Sequence, residues 1–138
     1  MKITKEEEYN KNMANADFLR NRAQGFYENA LENLEKGRYF LAAFNFEQAL
    51  QLYLKYYIYL KIADFPKIHS IRELLLDVAK VYGKGKEIAA ILEREFQVIA
   101  DLEEAYISSR YLPSEFTSAQ IEEMRRFVEQ LIEFLKEL

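Results

Sequence analysis

YFLAAFNFEQALQLYLKYYIYLKI, residues 39–62, is the stretch that decides how this chain folds. It holds neither Gly nor Pro and is dominated by Phe, Tyr, Leu, Ile and Ala. At about 100° per residue, Glu47, Gln48, Gln51 and Lys55 fall within one arc of roughly 100°. The rest of the circumference is apolar, so such a helix must be covered from several sides. Four polar side chains at its middle exclude a membrane span. The expected element is the central helix of a helical bundle. Its polar strip has two readings, a solvated rail of i, i+4 pairs or an interface or groove. Phe40 and Phe44 at one end and Ile58 and Ile62 at the other favour the second.

Upstream, Met13, Ala16, Ala23, Phe26, Tyr27, Ala30, Leu31 and Leu34 recur mostly at three and four, predicting an amphipathic helix over about 11–36. Residues 1–10 are polar and expected to fray. Gly37 is placed to stop that helix, and so short a connection implies an antiparallel pair. Downstream, Asp64-Phe65-Pro66 breaks the central helix. Ser70-Ile71-Arg72-Glu73 reads as a capping box opening a short third helix to about Tyr82, with Ile71, Leu74, Leu75, Val78 and Tyr82 inward. A fourth helix over about 86–109 turns Ile88, Ile91, Leu92, Phe96, Ile99, Leu102 and Tyr106 to one side. Residues 110–116 form a loop around Pro113. Thr117 to Gln120 is a second capping-box pattern, opening a last helix with Ile121, Met124, Phe127, Val128, Leu131, Ile132 and Leu135 on one face. No strand pattern is present. The expected fold class is all-α: an antiparallel four-helix up-and-down bundle with one additional short helix, one domain over 1–138.

The 138 residues suffice for one good core. A net charge of −4 gives no support for generic nucleic-acid binding by a basic face. No Cys and one His exclude disulfides and a Cys nucleophile and speak against a zinc site. The N-terminus MKITKEEEYNKN lacks an apolar signal region, so the expectation is a cytoplasmic protein. Abundant Glu, Lys, Arg, Ile and Tyr suit a thermophile.

Gly37, Tyr39, Ala42, Phe46, Ala49 and Leu50 match half of a tetratricopeptide unit, but no second copy stands 34 residues on. Three other segments carry a stronger likeness. Ala42 to Lys55 (AAFNFEQALQLYLK), Phe65 to Leu75 (FPKIHSIRELL) and Tyr106 to Pro113 (YISSRYLP) stand in order. Together they resemble the HEPN family, the higher-eukaryote and prokaryote nucleotide-binding domain. Many of its members are metal-independent RNases with an Arg followed four to six residues later by His. There the Arg stabilises phosphate charge and the His assists the 2′-hydroxyl. Here Arg110 is followed by no His at that spacing, and His69 has no Arg four to six residues before it.

The resemblance therefore implies the non-nuclease branch, which binds a nucleotide or a minimal nucleotidyltransferase partner, in some cases as a two-gene toxin–antitoxin module. No cofactor is implied. Its candidate ligand residues here are Glu47, Gln48, Gln51, Lys55, His69, Tyr106, Arg110 and Tyr111. Lys55 and Arg110 would meet phosphate, and Tyr106 or Tyr111 would stack on a base. Alternatives are an RNase whose His69 and Arg110 meet in space, and a tetratricopeptide-like interaction scaffold. The apolar excess of the central helix, with Phe44 and Tyr56, leads us to expect a homodimer.

Overall fold

The computed structural model describes residues 2–108, 111 and 115–138. Among them are six helices and no strand: α1 (Lys5–Glu35), α2 (Tyr39–Ile62), α3 (Ile71–Tyr82), α4 (Gly85–Arg94), α5 (Phe96–Ser108) and α6 (Ser118–Lys136). As its circumference requires, α2 is covered from several sides, by α1, α3, α5 and α6. Phe46, Leu50, Leu54 and Ile58 are buried in one core with Leu74, Leu75, Ile88, Leu102, Ile121 and Met124.

The α1–α2 pair is an antiparallel hairpin. Tyr27 packs on Phe46, the Tyr53 hydroxyl donates to Gln24 Oε1 at 2.6 Å, and the Tyr59 hydroxyl to Asn12 Oδ1 at 3.1 Å. Numbers fall along α1 as they rise along α2. Ala16, Ala23 and Ala30, seven residues apart, are buried and let the two backbones approach. Ala42, Ala43 and Ala49 do the same on α2, which explains the tetratricopeptide-like spacing without any repeat. Gly37 turns the corner at φ 73°, where a side chain would strain the backbone.

Two boundaries and one cap differ from the sequence expectation. The first helix begins at Lys5, before the apolar pattern starts, because Thr4 and Glu7 form a reciprocal capping box at 3.0 and 3.3 Å. At α3, Ser70 accepts from the Glu73 N–H, but the Glu73 carboxylate does not return the bond, and another carboxylate joins the cap. Glu103 of α5 accepts from the Ser70 hydroxyl at 2.9 Å and the Arg72 N–H at 3.0 Å. The cap is thus partly tertiary. The Thr117–Gln120 box forms as expected.

The third difference is that the expected fourth helix is two, broken at Glu95. On a helical wheel Glu95 sits in the middle of the apolar stripe, whereas Phe96 lies roughly 80° from Ile88 at its edge. Glu95 accordingly turns inward, where Arg126 grips both its oxygens at 2.8 and 3.0 Å, and Phe96 is left 64% exposed. The Arg126 guanidinium holds the Glu95 carboxyl below the usual carboxylate range. This contribution is present above the unfolded pKa of Glu and fades as pH falls through the lower folded value. Because the Arg126 side chain is about a third open to water, Arg126→Ala is expected to cost about 1–3 kcal/mol at pH 7. Denaturant melts at pH 7 and pH 3 check this, and the penalty should shrink at the lower pH.

The end of that helix, Ser109, and most of the loop expected over 110–116 lie outside the described residues. No helix among the described residues is long and apolar enough to cross a membrane.

Candidate functional site

The polar strip of α2 does not face solvent. Glu47 is fully buried, Gln51 and Lys55 are nearly so, and Gln48 is half-buried. Both readings made from the sequence alone, a solvated rail and an interface or groove, give way to a third: a polar network inside the fold. The reason lies outside α2. The segment after it, carrying Phe65 and His69, meets the strip, and Tyr106 of α5 stacks on His69 in turn.

Among the described residues every buried polar group of the network has a partner. Glu47 accepts from Gln48 Nε2 at 2.8 Å and Gln51 Nε2 at 2.9 Å. With its NH₂ committed to the carboxylate, Gln51 turns its carbonyl the other way. That oxygen accepts from Lys55 Nζ at 3.2 Å and meets His69 Nδ1 at 3.0 Å. Lys55 Nζ also lies 5.8 Å from the centroid of the Phe65 ring, within cation–π reach. An oxygen facing Nδ1 requires the proton there, so a neutral His69 keeps its lone pair on Nε2. The His69 ring is exposed and stacks on Tyr106, centroids 5.5 Å apart and planes 25° apart. His69 is therefore the solvent end of a chain that begins at buried Glu47.

The electrostatics are set by burial. Loss of water pushes the Glu47 carboxyl up to about 7, against the two amide donors, with Glu103 adding to the rise and Lys55 opposing it. Burial likewise pushes the Lys55 amine down, partly offset by Glu47. Burial thus disfavours the charged form of both Glu47 and Lys55, on either side of Gln51.

Six of the eight sequence candidates come together here: Glu47, Gln48, Gln51, Lys55, His69 and Tyr106. Tyr111 is 76% exposed, its N–H closing a turn on the Ser108 carbonyl at 3.2 Å. Arg110 lies outside the described residues. Glu103 and Phe65 were missed. Glu103 stands three residues before Tyr106 on the same side of α5, a spacing that marks it as a neighbour of the site. Among the described residues no cluster of His, Asp or Glu is placed to hold a metal ion.

A comparison with known families matches residues 16–138 to the HEPN domain. Neither the curated proteins nor the solved structures offer a match. The match runs from the first buried turn of α1 through α6 and takes in the whole His69–Gln51–Glu47 network. The chain belongs to the HEPN domain family.

Proposed function

We propose that this chain is a HEPN protein without ribonuclease activity, whose partner or ligand docks at exposed His69, which stacks on half-buried Tyr106. The observation that carries this reading is the sole His of the chain, stacked on Tyr106 and oriented from below by Gln51 and buried Glu47. A protein that invests a buried carboxylate in orienting one surface imidazole has a use for that surface. The absent Arg–His spacing speaks for binding over cleavage. The partner we propose is a minimal nucleotidyltransferase encoded in a two-gene module, with a nucleotide as the alternative ligand. We also propose a homodimer, supported by the exposed side chains of Phe40 and Ile62, which lie on one side of α2.

A second reading has its own support. An exposed, buttressed imidazole with a free Nε2 is also what general-base catalysis requires. Two assays on wild type, His69→Ala and Arg110→Ala decide between them, with the mass measured by light scattering alongside. Labelled RNA incubated in EDTA is expected to stay intact. Cleavage lost in His69→Ala would establish a rearranged ribonuclease and overturn the non-catalytic reading. In calorimetry with ATP, tenfold or greater weakening in either variant would identify a nucleotide as the ligand, that factor being about 1.4 kcal/mol. Absence of heat, or heat that neither variant weakens, leaves the protein partner at this site.

A further inference from the structure

Helix α1 packs chiefly on α2, and its contact with α6 is made by Tyr27, whose hydroxyl donates to Glu129. Beyond that bridge the two helices leave a trough floored by Tyr53, Tyr56 and Tyr57 of α2, with a cavity volume of about 530 Å³. These tyrosines centre roughly 190° round α2 from Gln51, on the side away from the polar network. The trough is therefore a separate place, and a ligand bound in it is independent of the role given to His69.

Its chemistry is specific in three respects. The charges around it are already matched. Arg20 pairs with Asp17 at 3.3 Å, Lys136 with Glu133 at 3.2 Å, and Arg125 with Glu129 at 3.0 Å. No net charge is left to attract a phosphate, a carboxylate or an ammonium group. Second, Tyr56 and Tyr57 stand at 75° with centroids 5.0 Å apart, giving two aromatic walls at nearly a right angle. A flat ring lying on one wall presents its edge to the other, the two arrangements aromatic groups favour. Third, the hydroxyls of Tyr56 and Tyr57 and the amide of Asn21 make no hydrogen bond to another described residue, so donors and acceptors remain for a guest. Burial holds the Tyr57 phenol above its usual range, which keeps it a neutral donor.

We propose that the trough between α1 and α6 is a binding site for an uncharged, flat heteroaromatic compound of about nucleoside size. The site would hold the ring against Tyr56 and Tyr57 and its polar edge near Asn21. Asn21 is exposed on α1, so a large side chain there fills the trough without touching the core.

Tyr27, Tyr53, Tyr56 and Tyr57 line the trough, so tyrosine fluorescence and ligand-observed saturation-transfer NMR detect binding, and the Asn21 variants locate it there. Adenosine and caffeine are the probes, and maltose is the polar, non-aromatic control. Both ring compounds are expected to bind saturably, with maltose silent. Asn21→Trp, or Asn21→Arg should the first not fold, should weaken them tenfold or more, and His69→Ala should leave them unchanged. The proposal is overturned if neither ring compound saturates, if maltose binds instead, or if the Asn21 variants keep wild-type affinity. Loss in His69→Ala would also overturn it, by moving the binding to the polar network.

Discussion

Leu50→Asp is expected to abolish the cooperative melt of this protein. Leu50 is fully buried at the middle of α2, in the core that α3 and α6 share. Removing it forfeits about 2–3 kcal/mol of apolar burial. The new carboxylate would have to be neutral and unpaired in an apolar site, or charged at a cost of several kcal/mol more. Together these rival the roughly 5–15 kcal/mol that holds a typical domain folded. Leu60→Asp is the matched control, since Leu60 lies on the same helix at 44% exposure. That variant should lose only a few degrees of Tm. Circular dichroism melts of the two, side by side, test whether α2 is the central element. A Leu50→Asp protein melting near wild type would deny it.

The second large effect is a pH dependence carried by Glu47. Its folded pKa of about 7 stands above the unfolded value near 4.5, because burial favours the neutral acid. Between these pH values the folded state binds more protons than the unfolded state. Stability therefore falls as pH rises through this window, and the full penalty is in place above about pH 7. A shift of that size corresponds to roughly 3 kcal/mol. Glu47→Gln keeps the volume and an acceptor oxygen for Gln51 or Gln48 but cannot ionise. It should be close to wild type in stability at pH 4.5 and gain on it progressively, by up to about 3 kcal/mol, at pH 8. Urea melts at the two pH values give the difference directly. A gap that does not widen with pH would mean that Glu47 is ionised at little cost. The same variant bears on the site, since Gln51 holds its amide orientation, and His69 its Nδ1 proton, through the carboxylate.

Most of the architecture was legible because it is written in local chain physics. The apolar circumference of residues 39–62 demands several covering helices whatever those helices are, and α2 has them. Gly37 and Gly83 sit at positive φ where helices end, and the Thr117 capping box opens the last helix, since each acts on its own few residues. The three segments that resemble the HEPN family also lie in the linear sequence, and the match to that family covers them all.

What the sequence left open depends on distant residues. Periodicity found Glu47, Gln51 and Lys55 on one arc, but whether that arc is wet or buried depends on what packs over it. His69 and Tyr106, 18 and 55 positions beyond Gln51, made that choice. Glu95 took the inward place that sequence reading gave to Phe96 because Arg126, on another helix, stands ready to grip it. Glu103, from another helix, joined the Ser70 cap by accepting from its hydroxyl and from the Arg72 N–H. In each case a charged or polar group goes inside only if a partner waits there. Local spacing places such a group on one face of its helix, and only the assembled bundle supplies the partner.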